Sequence, residues 1–209
     1  MKDDDSKVWR GTTLEQRSHA RRERLLEAGL EIFGTTGYAT STVSGICSAA
    51  NVSTRTFYEL FGERADLIEA IYLRVIEDIR ARIEQLPAPT AVGVDQWTKD
   101  AVRAVVGPLL ADLRVCQVIE IEVVGLSPHL EELRRVSTLA IAQTLESVQV
   151  ALSGEAMSSP AVRQQVGVFI VGGITETLVA YMRTPASERQ PPDELLDMVT
   201  AVILRVLVG

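Results

Sequence analysis

The stretch Ser41–Phe61, STVSGICSAANVSTRTFYELF, predicts two short helices joined by a tight turn. A hydroxyl at Ser41 or Thr42 can cap the first helix. An apolar stripe with the i, i+3, i+4, i+7 spacing of one helical face follows: Val43, Ile46, Cys47 and Ala50. Asn51 falls where the chain must turn with a positive φ, which Asn tolerates better than other residues that carry a side chain.

The second of these helices, which Ser53 can cap, has an apolar and a polar face. Its inward face is predicted to contain Phe57, Leu60 and Phe61. Its outward face is predicted to contain Thr54, Arg55, Thr56 and Tyr58. Arginine can hydrogen-bond guanine bidentately, threonine can contact bases, and tyrosine or serine hydroxyls commonly contact phosphates. The pattern favours a helix that enters the major groove of DNA. The alternative is an ordinary helical hairpin whose Arg55 and Glu59 form an exposed i, i+4 pair.

A longer helix is predicted before this stretch. The sequence Thr13-Leu14-Glu15-Gln16 has the form of a capping box, and the helix that it opens is expected to run to about Thr36. Gly37 followed by Tyr38 is typical of a helix C-terminus. The buried stripe of this helix is Leu25, Ala28, Ile32 and Phe33. Three helices are therefore expected to pack together and display the third, and Gly62–Leu67 then starts a fourth.

The run from Arg24 to Ile71 resembles the N-terminal domain of the tetracycline-repressor (TetR) family of bacterial transcription regulators. The resemblance covers roughly residues 14 to 76 without gaps. The residues that carry it are Gly37-Tyr38, Ala49-Ala50, Val52-Ser53, Thr56-Phe57-Tyr58, Phe61, Arg64 and Leu67. Three positions depart from the family pattern, because Asn51 replaces the usual Gly and because Glu59 and Leu60 stand where basic or aromatic residues are frequent.

The resemblance implies how these side chains meet double-stranded operator DNA. Thr42 and Tyr58 would contact phosphates, residues 54–56 would face bases, and Arg64 would meet the DNA backbone. The expected DNA contacts are Thr42, Ser53, Thr54, Arg55, Thr56, Tyr58 and Arg64.

The charge distribution fits a local DNA contact. The chain carries a net charge of −7, yet residues 6–64 hold eight basic and six acidic side chains, 8 − 6 = +2, so the acidic excess lies elsewhere. A weakly basic domain on an acidic protein disfavours indiscriminate DNA binding. Residues 1–12 are expected to form a flexible N-terminal arm. The basic residues Lys7, Arg10, Arg17, Arg21 and Arg22 could enter a minor groove or track phosphates. The alternative, which Asp3-Asp4-Asp5 favours, is a solvated tail before about Thr12.

The remaining two-thirds of the chain predicts helices and no convincing strand, so the expected fold is all-α with about nine helices. A helix from Ala65 to about Gln85 is expected to end before Pro87. Pro108 is expected to kink or interrupt its helix. Further helices are predicted at 95–113, 114–125, 128–152, 160–183 and 192–207. The predicted domains are a helix-turn-helix domain, 13–64, and a helical ligand-binding and dimerisation domain, 65–209.

The last two helices predict a homodimer. Val166–Ile174, VGVFIVGGI, is apolar on all sides, and its glycines suit close backbone approach. Two such helices from each of two chains would form a four-helix bundle. The expected interface residues are Val166, Gly172, Gly173, Leu195, Val199, Val202 and Val206. The alternative is that both helices serve only the core of one chain.

The family resemblance implies an unknown small-molecule effector that binds among the middle helices and shifts the DNA-reading domains apart. Glu120 and Glu122 lie two apart in an otherwise apolar helix, so they cannot share a face, and one of them is expected to point inward. Polar or bulky residues on helices expected to be buried give the candidate pocket: Trp97, Cys116, Gln117, Glu120, Gln143, Phe169 and Glu176.

Other classes of function find little support in the sequence. The two cysteines, Cys47 and Cys116, have no metal-binding or redox spacing, and His19 and His129 have no nucleophile at a telling distance in the sequence. No catalytic residue, metal site or cofactor is therefore expected. The longest nearly apolar run, Val166–Ile174, is too short to span a membrane, and no signal sequence opens the chain, so a cytoplasmic location without a membrane partner is expected.

The function predicted from these observations is a ligand-released homodimeric repressor. The alternative is a helical protein-interaction module without sequence-specific DNA binding.

Overall fold

The computed structural model describes residues 13–153 and 159–208, and every regular element in those residues is helical. The helices are α1 Leu14–Thr35, α2 Val43–Ala50, α3 Thr54–Leu60, α4 Arg64–Glu84, α5 Pro89–Val92, α6 Val94–Ala111, α7 Leu113–Gln117, α8 Pro128–Ser153, α9 Pro160–Arg183 and α10 Pro192–Val208. The predicted all-α fold is confirmed. The predicted N-terminal arm, residues 1–12, lies outside the described residues.

The chain divides into two compact units within α4, between Ile71 and Tyr72. We call them the N-terminal unit and the C-terminal unit. The division that the sequence predicts, after residue 64, lies at the start of the same helix.

Local signals in the sequence determine how α1 begins and how it packs. The hydroxyl of Thr13 accepts a hydrogen bond from the Gln16 backbone N–H at 3.1 Å, and the Gln16 side chain accepts one from the Thr13 N–H at 2.8 Å. Gly29 faces α4, where an added Cβ would lie 2.9 Å from Leu67 and 3.0 Å from Ile71. Glycine therefore permits the close packing of α1 against the first half of α4.

The C-terminal unit is built on the pairs α8–α9 and α6–α10. At the α8–α9 contact, a Cβ added at Gly167 would lie 2.8 Å from the Cα of Ala142, so these two backbones approach very closely. The expected close approach is thus confirmed for Gly167. Gly172 and Gly173 have nothing within 4 Å of their added Cβ atoms.

Three details of the C-terminal unit differ from the sequence prediction. Pro108 lies inside α6, which continues past it to Ala111, so of the two predicted effects, a kink or an interruption, the interruption is wrong. The short helix α5 was not predicted. The helix expected over residues 114–125 is α7 followed by a π-helical turn, Val118–Glu122, in which the Val123 N–H donates to the Val118 carbonyl at 3.2 Å. A π turn is defined by a backbone hydrogen bond between residues five apart and requires no particular residue type, so the apolar pattern of this segment did not indicate it.

Candidate nucleic-acid interface

Capping side chains define the two helices of the helix-turn-helix. The Thr42 hydroxyl accepts from the Gly45 N–H at 3.1 Å at the start of α2, and the Ser53 hydroxyl accepts from the Thr56 N–H at 3.1 Å at the start of α3. Asn51 ends α2 in the left-handed conformation, with φ 51° and ψ 51°. The predicted caps and the predicted turn conformation are confirmed, so the angle between the helices follows from local sequence.

A buried apolar base holds α3 in place. Phe57 and Ile46 are fully buried, and Phe61 is 4% exposed. The ring of Phe57 packs at 5.8 Å from the ring of Phe61 and at 5.5 Å, edge to face, from the ring of Tyr58. Because its inner face is fixed in the core, α3 presents its outer face as a rigid surface.

The outer face of α3 is open to solvent. Tyr58 is 58% exposed, and the side chain of Arg55 is 88% exposed. Thr54 and Ser53 are also exposed, whereas Thr56 is half-buried. The Ser53 and Thr56 hydroxyls lie 3.0 Å apart and share a hydrogen bond. The side chains predicted to read bases and contact phosphates are therefore presented together on the surface of this unit.

Arg55 and Glu59 form an ion pair on this surface. The Arg55 Nε donates to Glu59 Oε1 at 2.9 Å, with both side chains more than half exposed. A pair this exposed contributes little to stability. The pair foreseen in the hairpin alternative is thus formed, and it places a carboxylate next to the arginine expected to read a base.

Arg64 holds the connection between α1 and α2. Its Nη1 donates to the Tyr38 carbonyl at 2.8 Å, to the Ser41 hydroxyl at 2.9 Å and to the Ser41 carbonyl. Its guanidinium carbon lies 4.1 Å from the centroid of the Tyr38 ring. Much of the guanidinium is therefore used within the unit, and its contact with the DNA backbone remains a prediction.

Residues 25–71 match the family model described as bacterial regulatory proteins, tetR family. The N-terminal unit belongs to this family. No curated protein is significantly similar to the chain. A tetR-family unit with an exposed recognition helix makes the protein a DNA-binding transcriptional regulator.

Solved TetR-like regulators share the fold along most of the chain. A tetR-family regulatory protein from Rhodococcus RHA1 superposes with a TM-score of 0.68 at 20% identity, covering 90% of this chain and 96% of the other. A transcriptional regulator from Rhodococcus sp. RHA1 gives 0.71 at 17% identity, with 88% and 96% covered. FadR from Bacillus subtilis, solved with stearoyl-CoA, gives 0.68 at 17% identity, with 87% and 96% covered.

The residues predicted to line a pocket are dispersed over the C-terminal unit. Trp97 is buried and lines an apolar cavity, whereas Phe169 is 75% exposed. Gln143 and Glu176 are exposed. The Gln117 side chain donates to Glu122 Oε1 at 2.8 Å.

Glu120 is the carboxyl of the π turn that lies among buried groups. Desolvation by burial raises its pKa, while a hydrogen bond from Thr175 and the charge of Arg134 act in the opposite direction. The Cys116 thiol, which is fully buried, has a pKa raised by burial and by Glu120 to about 12.

Sequence reasoning missed Thr98. This residue lies beside Trp97 in the same cavity, and its side chain is 1% exposed. No sequence signal marks it, because threonine one turn into an amphipathic helix is ordinary.

Two further features concern metal binding and membrane spanning in the described part of the chain. No group of three or more His, Cys, Asp or Glu side chains there is placed to hold a metal ion. One segment of α9, Gln164–Arg183, is long and apolar enough to cross a membrane by length and composition, with a mean hydropathy of 1.4 and 22% of its window buried. This helix exceeds the apolar run that the sequence analysis considered, because it includes the less hydrophobic turns on both sides of Val166–Ile174.

Proposed function

We propose that the protein is a homodimeric repressor that leaves its operator when a small molecule binds in the C-terminal unit. The observation that carries this proposal is the apolar face left open by α9 and α10 in a C-terminal unit that also contains an apolar cavity. Together with the tetR-family N-terminal unit, these features supply the three parts that such a repressor needs.

The open face of α9 and α10 supports the dimer. Phe169 is 75% exposed, Val202 52% and Val206 39%, and Gly172 and Gly173 leave open space beside them. Contiguous exposed apolar side chains of this kind mark interaction surfaces. A second copy of the same face would bury them in a four-helix arrangement with twofold symmetry.

Two residues of the expected interface lie beneath this open face and not on it. Leu195 and Val199 are 2% and 6% exposed, so their own fold already buries them. Val166 is half-buried. The contact that we propose therefore centres on Val202 and Val206, with Phe169 and Met198 added.

A lipid bilayer is a less suitable partner for α9. The helix already packs backbone to backbone on α8 at Gly167, and the ionisable side chain of Glu176 is exposed within it. An exposed carboxylate near the centre of a membrane span is costly. We therefore propose a protein partner for this face and a cytoplasmic location, where operator DNA is accessible.

Dimerisation would make DNA binding specific. One α3 displays only a few side chains that can reach bases, and a twofold pair would place two such helices about 34–36 Å apart, one turn of DNA, or a multiple of that distance. In each copy Thr42 and Tyr58 would donate to phosphates. The Thr42 hydroxyl can do so while it caps α2, because the cap uses the oxygen only as an acceptor. Ser53, Thr54, Arg55 and Thr56 would face the bases.

Release by a ligand requires different affinities for two states. A small molecule lowers operator affinity only if it binds more tightly to the conformation that does not fit two half-sites. We propose that the ligand binds among the helices that line the internal cavity of the C-terminal unit.

Selection of bound sites from random DNA duplexes tests this function. The full chain should enrich a palindromic site with half-sites one turn apart, and a screen of small molecules should find compounds that release it. Binding without sequence preference at moderate salt would instead support the protein-interaction alternative.

A further inference from the structure

An apolar cavity lies inside the C-terminal unit. It is lined by α4, α6, α8, α9 and α10, and its volume is about 40 Å³. Among its wall residues are Trp97, Ala101, Val105, Ile141 and Ile174. Apart from Thr98 and Thr144, the described residues that line it are hydrocarbon or indole. The wall favours a small hydrocarbon group.

The Thr98 hydroxyl is buried in this cavity wall without a hydrogen-bond partner among the described residues. Threonine in a helix commonly donates to the carbonyl four residues earlier. Thr144, in the same cavity, does this, because its hydroxyl donates to the Ala140 carbonyl at 3.1 Å. A buried hydroxyl without a partner is uncommon and unfavourable, so Thr98 has a hydrogen bond to offer to a group that enters the cavity.

The absence of charge among the described wall residues restricts the ligand further. None of the residues described as lining this cavity is ionisable. An ionised carboxylate or amine buried there would lose its hydration without gaining a countercharge, whereas a neutral oxygen needs only one hydrogen bond. The wall therefore selects against charged groups at this depth.

We propose that this cavity binds a neutral, mostly hydrocarbon small molecule with one hydroxyl or carbonyl oxygen, and that the Thr98 hydroxyl is its polar anchor. The inference rests on the proposed ligand-released function and specifies the class of ligand. A second cleft, between α4 and α8, shares Ile83, Ile141 and Thr144 with the first. The ligand can therefore extend along α4, the helix whose first residues belong to the N-terminal unit.

Two small probes of nearly equal shape, cyclohexanol and methylcyclohexane, test the anchor in the full chain. Trp9→Phe leaves Trp97, in the cavity wall, as the single tryptophan, so its fluorescence reports binding at this site. Both probes should change this fluorescence. Thr98→Val keeps the shape of the side chain and removes the hydroxyl. It should weaken the binding of cyclohexanol about fivefold to tenfold, the value of one hydrogen bond, and leave the affinity for methylcyclohexane within about twofold of the parent protein.

Thr144→Val is the matched control. It makes the same substitution in the same cavity at a hydroxyl that already has a partner, so both probes should bind within about twofold of the parent protein. Thr98→Val should also keep the melting temperature, because it removes a buried polar atom that has no partner in the described structure.

Three outcomes would overturn the proposal. The first is no change in Trp97 fluorescence at a saturating probe concentration, and the second is an equal effect of the two threonine substitutions on binding. The third is an equal loss of affinity for both probes in Thr98→Val. The proposed function can be tested separately from this ligand class. If cyclohexanol binds through Thr98 but neither it nor larger neutral alcohols release selected operator DNA, ligand release is wrong and the ligand class stands.

Discussion

The Arg64 guanidinium stacks on the Tyr38 ring at 4.1 Å and donates to the carbonyl of the same residue at 2.8 Å. One side chain at the start of α4 thus holds the segment that leads into α2. Arginine suits this position because its planar guanidinium can stack on the ring while it donates to the carbonyls, whereas the lysine ammonium has no plane to stack.

Arg64→Lys should therefore destabilise the protein by about 1–2 kcal/mol, through the loss of stacking and of at least one hydrogen bond. Urea unfolding measures the change. Arg24→Lys is the control, since Arg24 is an exposed residue of α1. Equal stability of the two variants would mean that the Arg64 contacts contribute nothing in solution.

Tyr58→Phe should weaken binding to every operator variant alike, by about 1 kcal/mol, because it removes one hydroxyl expected to contact phosphate. Electrophoretic mobility shifts with several single-base variants of the selected site measure this. A loss confined to one variant would instead place the Tyr58 hydroxyl on a base.

Arg55→Ala should relax the preference at one base position by about 1–3 kcal/mol and leave the other positions unchanged. Binding of a complete set of single-base variants measures the preference. If Arg55→Ala and Tyr58→Phe both left affinity unchanged, the assignment of this face of α3 to DNA would be wrong.

Glu59→Gln should tighten DNA binding. The substitution keeps the size of the side chain, removes a negative charge close to the expected phosphates and frees the Arg55 Nε that now bonds to Glu59 at 2.9 Å. The gain should be larger on unselected DNA than on the operator, because charge carries no sequence information. Unchanged affinity on both would place Glu59 away from the DNA.

Val202→Glu should dissociate the dimer, since it places a charge in the centre of the proposed apolar contact. Val136→Glu is a closely matched control, because Val136 on α8 is 50% exposed and Val202 is 52% exposed. Sedimentation of both variants measures the mass. A dimer that survives Val202→Glu and is lost in Val136→Glu would move the interface to α8.

Glu120 should make stability depend on pH in a definite direction. Burial raises its folded-state pKa above the ordinary 4.5, so between these two values the folded protein binds more protons than the unfolded chain. Stability contributed by the protonated carboxyl is therefore present below about 4.5 and is lost as pH rises through the folded pKa. Glu120→Gln keeps an oxygen that can accept from Thr175 and removes the titration. The stability of the variant relative to the parent should rise with pH over this range, and a constant difference would show that Glu120 is solvated.

The sequence predicted the parts of the fold that depend on neighbouring residues. Local contacts within a few positions form the helix caps at Thr42 and Ser53 and the left-handed turn at Asn51. Neighbouring residue types were therefore enough to predict them. Helix bounds from α8 to α10 followed from prolines at their first positions for the same reason.

Features that depend on packing between distant segments could not be read in this way. Leu195, Val199 and Val202 share one apolar pattern, yet the folded chain buries the first two and leaves the third exposed. The partnerless hydroxyl of Thr98 is likewise a property of its surroundings, since Thr144 has the same side chain in the same cavity and finds a partner.

The state of the two thiols has a consequence for what this regulator can sense. Cys47 is 3% exposed and Cys116 is fully buried, and burial raises the pKa of both. Peroxides and electrophiles react with accessible thiolates, and these sulfurs are sheltered and protonated at neutral pH. We therefore expect that peroxides and electrophiles do not modify these two cysteines in the folded protein.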